Sequence, residues 1–319
     1  MQKKMHTMTQ LFKWVYRILL ILIVCVNSAS AENKTIKIVF VGDIMLDDLP
    51  GKYIKDGNDP FASFSALFQS ADLTIGNLEC VVGTSGIAED KPFVLRAHPR
   101  VLPVLKKHFS ALSLANNHSG DFGPAAFSSM LDLLNESGIK YFGGGRNLQE
   151  VYAPIIFDIK GKRIALLAYN LFFPRSFEAL DDRPGNAWGE NDYVREGIRR
   201  ARSVHQADIV ITYPHWGWEN EKIASANQVA LAHLMIDSGA DAVIGGHPHV
   251  TQNIEIYKGK TIFYSLGNFV FDSFDTEETN TGWAVEMTIQ ADSTISWNIY
   301  EAKLDGNGIP RNNGQIKFP

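Results

Sequence analysis

The sequence predicts an α/β fold with a parallel-leaning first part and an antiparallel finish. Three observations carry this expectation. Six apolar runs recur, each ending in a polar cluster; helical patterns lie between them; after residue 250 those patterns stop and period-two alternation takes over. Strands alternating with helices build a parallel sheet, whereas consecutive strands joined by tight turns build an antiparallel one.

In chain order, "TIKIVFVGD" (35–43) is an apolar run that stops at a turn. Such a run suits a strand buried on both faces. "ADLTIGNLE" (71–79) and "FSALSLANNH" (109–118) repeat the form, and "SSMLDLLNESG" (128–138) is a helix with a glycine stop. The triplet at Gly143–Gly145 lacks the third spaced glycine of a dinucleotide loop and predicts a tight turn. "RIALLAYN" (163–170), "ADIVITYPHWG" (207–217) and "ADAVIGGHPH" (240–249) are further strand-plus-cluster units, with a helix over "DYVREGIRRARSV" (192–204). "SANQVALAHLMIDSG" (225–239) opens with a capping box, Ser225 to Gln228, and stops at Gly239. Its spacing places Val229, Ala232, His233 and Ile236 on one face. The last part reads as hairpins turning at Lys258-Gly259 and Asp292-Ser293.

The chain start reads differently. Residues 1–31 carry Lys3, Lys4, Lys13 and Arg17 with no acidic residue, then the apolar stretch Ile18–Val26, then Ala29 and Ala31 spaced as in a cleavage signal. This pattern predicts a secretory signal peptide over 1–31, cut before Glu32, and hence an exported protein, periplasmic or extracellular. The alternative is an uncleaved membrane anchor over residues 18–26, which falls well short of the roughly 20 apolar residues that span a bilayer. Val24 stands before Cys25 where a lipoprotein signal needs a small residue. No repeat, linker or low-complexity run follows residue 34, so residues 32–319 form one domain.

Against 30 Lys+Arg the chain has 35 Asp+Glu, and losing the four basic leader residues makes it more acidic still. An acidic surface argues against nucleic acid as a partner. Only Cys80 remains beyond the leader, so no internal disulfide is available.

The chemistry lies at the strand ends. They offer Asp43; Asn77 and Glu79; Asn117 and His118; His215; and His247 with His249. In open α/β sheets the C-terminal strand ends face one crevice, where ligands bind. Oxygen and nitrogen donors without a thiol suit Mn, Fe, Zn or Co. Each residue alone has an ordinary structural reading, such as a turn cap or a packed imidazole. Five segments offering the same chemistry at the same place favour a metal centre. No G-x-S-x-G elbow, Walker A loop or H-E-x-x-H helix is present.

The ordered set GD, GNLE, NNH, HWG, GHPH and "YSLGNFVFD" (264–272) resembles the CapA/PgsA family of capsule and poly-γ-glutamate synthesis proteins, itself similar to calcineurin-like metallophosphoesterases. The resemblance runs from about residue 36 to 272. It implies a four-layer α/β/β/α sandwich with a centre of two divalent metal ions. Asp43 and His249 would hold one ion, Asn117, His215 and His247 the other, with Glu79 bridging. His118 would be the catalytic acid or transition-state donor. From residue type, Arg96 in "KPFVLRAHP" is the candidate to clamp a phosphate or carboxylate, the alternative being an ordinary surface arginine, and Asn77 is a further substrate-binding candidate. Two departures stand out from the phosphoesterase pattern: Met45 replaces a histidine, and Gly76-Asn77-Leu78-Glu79 replaces Gly-Asp. The family implies a role in making or exporting an anionic capsule polymer, with capsule synthesis or export proteins as partners. The alternative is a metal-dependent hydrolase of a phosphoester or envelope polymer. A membrane partner enters only through an uncleaved leader.

Overall fold

The computed structural model describes residues 35–173, 175–272 and 275–318. The leader expected over 1–31 lies outside the described residues. Among the described residues no helix is long and apolar enough to cross a membrane.

Strand Ile36–Ile44 shows why the chain folds in layers. Side chains alternate across a strand, and here both faces are apolar: Ile36, Ile38 and Phe40 enter one core while Val39, Val41 and Ile44 enter another. The first core lies between two sheets, because it also takes Ile164, Leu166, Ile209, Ile211 and Phe263 from the second sheet. The other core lies under Phe127, Met130, Leu131 and Leu134 of helix Gly123–Glu136 and under Leu102 and Leu105 of helix Leu102–His108. On the far side, Ala165, Leu167, Val210 and Val243 meet helices Asn191–Ser203 and Ala226–Asp237. The layers are therefore α/β/β/α, as expected.

The first sheet has eight strands. Ile36–Ile44, Leu73–Leu78, Ala111–Ser113 and Lys140–Phe142 run parallel. Thr281–Ile289, Ile295–Leu304 and Pro310–Ile316 add an antiparallel flank beside the first strand. Asn268–Val270 pairs with the end of Ile36–Ile44. The second sheet has six strands: Lys162–Asn170, Ile209–His215, Ala242–Ile244 and Lys260–Phe263 are parallel, with antiparallel edges at Ile155–Ile159 and Ile254–Tyr257. Lys258 and Gly259 both have positive φ, 49° and 76°, as a two-residue hairpin turn requires.

Two local expectations shift. Helix Ala226–Asp237 has its capping box, but its buried residues are Gln228, Leu231, Ala232, Met235 and Ile236. Val229 and His233 sit at the margin, because Gln228 turns inward to donate to Gln252 while His233 stacks on Tyr257 and meets Glu255 outside. The glycine triplet turns at Gly143 (φ 72°), and Gly144–Gly145 then pairs with Gly185–Asn186 as a short ribbon.

Candidate metal centre

The centre is built around a defect in strand Ile36–Ile44. Its pairing with both neighbours shifts register near Asp43, which falls opposite Asn77 on one side and Asn268 on the other. The preceding residue must be glycine: a Cβ at Gly42 would lie 1.8 Å from the Gly267 carbonyl oxygen. This close approach lets Asp43 N donate to Gly267 O at 3.0 Å and sets the carboxylate on the strand-end crevice. A bulge that re-aims a side chain beside a site is a recurrent use of the defect.

Asp43 and Glu79 are both fully buried. His247 N donates to Asp43 Oδ2 at 3.1 Å, and Asn77 Nδ2 donates to Asp43 Oδ1 at 2.9 Å and to Glu79 Oε2 at 3.4 Å. His215 Nε2 lies 2.7 Å from Asn117 Oδ1, 3.1 Å from His247 Nδ1 and 3.3 Å from Glu79 Oε1. His249 Nδ1 lies 2.9 Å from Asn268 Oδ1 and 3.7 Å from Asp43 Oδ2. Two donor groups result: Glu79, His215 and His247, and Asp43, Glu79 and His249, with ligand atoms within 4.8 Å of one another. Glu79 is common to both.

The residues present fit divalent cations. Two carboxylates without water and without a cation are costly to bury, yet the ion pairs of Asp43 and Glu79 among the described residues are with His215 and His249 alone. Burial, reinforced by the charge of Asp43, pushes the Glu79 carboxyl well above its usual range. Burial holds the His215 imidazole down at about 4, and burial with neighbouring imidazoles holds His247 well below its usual value. Neutral imidazoles keep the lone pair a metal needs. Glu79 Oε1 and His247 Nε2 are buried and make no hydrogen bond. Orphaned acceptors of this kind are rare in a satisfied core, and here both belong to one donor group.

The two histidines of "GGHPHV" reach the crevice by a route that period-two strand geometry does not describe. The strand ends at Ile244, and His247 and His249 have φ of 95° and 57° on either side of Pro248. Left-handed backbone at a non-glycine residue costs on the order of 1–3 kcal/mol and clusters at functional sites. The strain is held by the His247 N–Asp43 bond and by the Phe172 ring, whose centroid lies 3.9 Å from that of His247.

A cavity of about 430 Å3 opens beside the centre, lined by Asn117, His118, Lys91, Asn170, Asn186 and Glu219 among others. His118 Nδ1 donates to Asp121 Oδ2 at 2.8 Å, which leaves Nε2 for the cavity side. Burial lowers the His118 pKa, and Asp121 opposes that effect. Neither Arg96 nor Asn77 lines this cavity. Arg96 places its guanidinium 4.2 Å from the Phe122 ring centroid, and its backbone N–H donates to Asp47. Asn77 is fully buried beneath the carboxylates. The cation at the cavity is Lys91, which pairs with Asp121 and donates to Asn117 O at 3.0 Å.

Sequence reasoning also missed Asn116, Asp121 and Asn268. Asn116 Nδ2 donates to Asn77 Oδ1 and to Leu78 O, both at 2.9 Å, and its Oδ1 accepts from His118 N. The doubled asparagine of "LANNH" and an aspartate three residues after His118 were the available signals.

Among known proteins, the chain is 33% identical over 258 residues to the capsule biosynthesis protein CapA of Bacillus anthracis, covering 76% of this chain and 61% of that one. It is 32% identical over 279 residues to the PGA biosynthesis protein CapA of Bacillus subtilis strain 168, covering 84% and 68%. The chain thus spans less than two thirds of the length of the first of these relatives. Among solved structures it is similar to the NAD nucleotidase NadN of Haemophilus influenzae, with a TM-score of 0.48 and 11% identity over 87% of this chain and 53% of that one. The profile of the family described as bacterial capsule synthesis protein PGA_cap matches residues 37–273, and the chain belongs to that family.

Proposed function

We propose that this chain acts in the synthesis or export of an anionic capsule polymer of the poly-γ-glutamate type, through a centre for two divalent metal ions. Membership of the family and the names of its relatives support the polymer. The observation that carries the metal reading is the pair of orphaned atoms, Glu79 Oε1 and His247 Nε2, beside two buried carboxylates that among the described residues have only His215 and His249 as basic neighbours.

In this reading Asp43 and His249 would hold one ion and Asn117, His215 and His247 the other, with Glu79 available to both. Divalent ions there, of Mn, Fe, Zn or Co, would supply Lewis acidity and offset an anionic substrate's charge. Asn77 fixes the two carboxylates from below, and Lys91 faces the anionic group from the cavity wall. Export, by cleavage of 1–31 or by anchoring through 18–26, would put the centre where such a polymer is assembled.

The second reading, hydrolysis of a phosphoester or envelope polymer, is favoured by one observation. Asp121 accepts from His118 Nδ1, so the imidazole keeps one tautomer with Nε2 toward the cavity. With Nδ1–H held in this way, Nε2 can take up a proton, and the imidazolium that Asp121 stabilises can then give it to a leaving oxygen, which simple binding does not need.

Deletion of the gene followed by complementation tests the main reading. Wild-type protein should restore surface polymer, and His215→Ala should not. Full restoration by His215→Ala, at equal protein level, contradicts it.

A further inference from the structure

A second cavity, of about 300 Å3, adjoins the first and shares its Phe172 and Phe173 wall. Trp188, Trp216 and Trp218 line it, half of the chain's six tryptophans. Trp216 is fixed as a wall, since its Nε1 donates to Tyr264 O at 2.8 Å and the ring is buried. Trp218 is different. It is 66% exposed at the lip, touching Phe172 edge to face at 6.1 Å. Phe173, 67% exposed, meets Trp188 at 64°. Large aromatic rings left in water at the mouth of a cavity mark a contact surface, because covering them is favourable.

The lining narrows the occupant. The volume sits at the low end for small-ligand pockets, about 300–1,000 Å3, so it suits a single ring. The aromatic pairs are edge to face, at 81° and 64°, and offer no parallel slot for a flat base. An alkyl chain would bury the polar wall formed by Ser225, Asn227 and Gln228 at the start of helix Ala226–Asp237. Gln228 is already occupied, donating to Gln252 and accepting from Ser225 N, while Asn227 is exposed. A pyranose answers both demands: its C–H face lies on an indole, and its hydroxyl edge reaches an amide.

We propose that this cleft is a subsite for a sugar ring. The subsite rests on the cavity alone. That the ring belongs to a glycan joined to the polymer or acceptor handled next door rests on the function proposed above.

The test is titration of the full chain with chitotetraose, read by tryptophan fluorescence and calorimetry, with and without chelator. Saturable binding is expected in both conditions, at least tenfold weaker in Trp218→Ala and in Asn227→Ala, with metal content unchanged in both variants. Both side chains are exposed, so neither change threatens the core. No saturable binding at millimolar chitotetraose, or binding unaltered in both variants, overturns the proposal. Tighter binding of adenosine monophosphate or of decanoate, lost in Trp218→Ala, overturns it in favour of a base or an acyl chain. Loss of glycan binding on chelation moves the sugar to the metal centre and also overturns it. A chain that binds the glycan but no metal refutes the centre and leaves the subsite standing.

Discussion

Asn77 Nδ2 donates to Asp43 Oδ1 at 2.9 Å, joining two neighbouring parallel strands beside the shift in their register. The amide also meets Glu79 Oε2 and His215 Nδ1, so one neutral side chain braces three members of the donor set. Groups that orient metal ligands from behind commonly contribute 10–100-fold to affinity. Asn77→Ala should therefore weaken Mn or Zn binding by about that factor in a competition titration. Unchanged affinity would show that the ligands hold themselves.

His118 and Asp121 give a prediction that separates chemistry from binding. His118→Ala should leave metal content intact, since His118 lies outside both donor groups. If the centre hydrolyses an aryl phosphodiester with Mn, turnover should fall by about 10²–10⁴-fold, the usual contribution of a positioned acid. Asp121→Asn should fall in the same direction by disturbing the tautomer. Equal turnover in wild type and His118→Ala would remove the residue from the chemistry.

The ion pair between Asp59 and buried His108 predicts an acid-limb effect. Burial pushes the Asp59 carboxyl up, but bonds from Lys107, His108 and Phe61 N outweigh it and hold its pKa below the usual value. The folded state then binds fewer protons than the unfolded one near that pH. The contribution is complete above the unfolded value of about 3.9 and is lost as pH falls through the lower folded value. Asp59→Asn should lower stability near neutrality by about 1–3 kcal/mol, for the partners left unsatisfied. It should also flatten the loss below pH 4 in urea titrations. An unchanged acid limb would contradict the assignment.

Cys80 lies fully buried in the core under the first helical layer, and burial pushes its thiol up to about 12. Thiolate is the reactive form, so a disulfide reagent should leave the native chain untouched and react fully in urea. Cys80→Ala should fold, whereas Cys80→Ser should lose about 1–3 kcal/mol for an unpaired hydroxyl. Rapid native labelling would show that the segment opens.

Much of this was legible because strand-end chemistry is written locally. Asp43, Glu79, Asn117, His215, His247 and His249 each follow an apolar run, and the fold gathers all six. Lys91 and Arg96 depend instead on how the segment between Val82 and Ala97 lies over the sheet, and residue type alone does not fix that path. The last strand, Pro310–Ile316, reads "PRNNGQI" and has no apolar alternation; pairing with Ile295–Leu304 makes it a strand. Short helices such as Ser65–Ser70 carry too few turns for a period to show, and tertiary packing of Phe68 holds this one. The backbone of His247 and His249 was hidden for another reason: their left-handed φ is imposed from outside, by Asp43 and Phe172.

The centre itself is tested most directly by elemental analysis of protein purified without chelators. A two-metal centre predicts about two equivalents of divalent metal in the wild type, with substantial loss in His247→Ala, in His249→Ala and above all in Glu79→Ala, the residue common to both donor groups. Circular dichroism should show the fold retained in the two histidine variants. Full metal content in both histidine variants would contradict the two-metal centre.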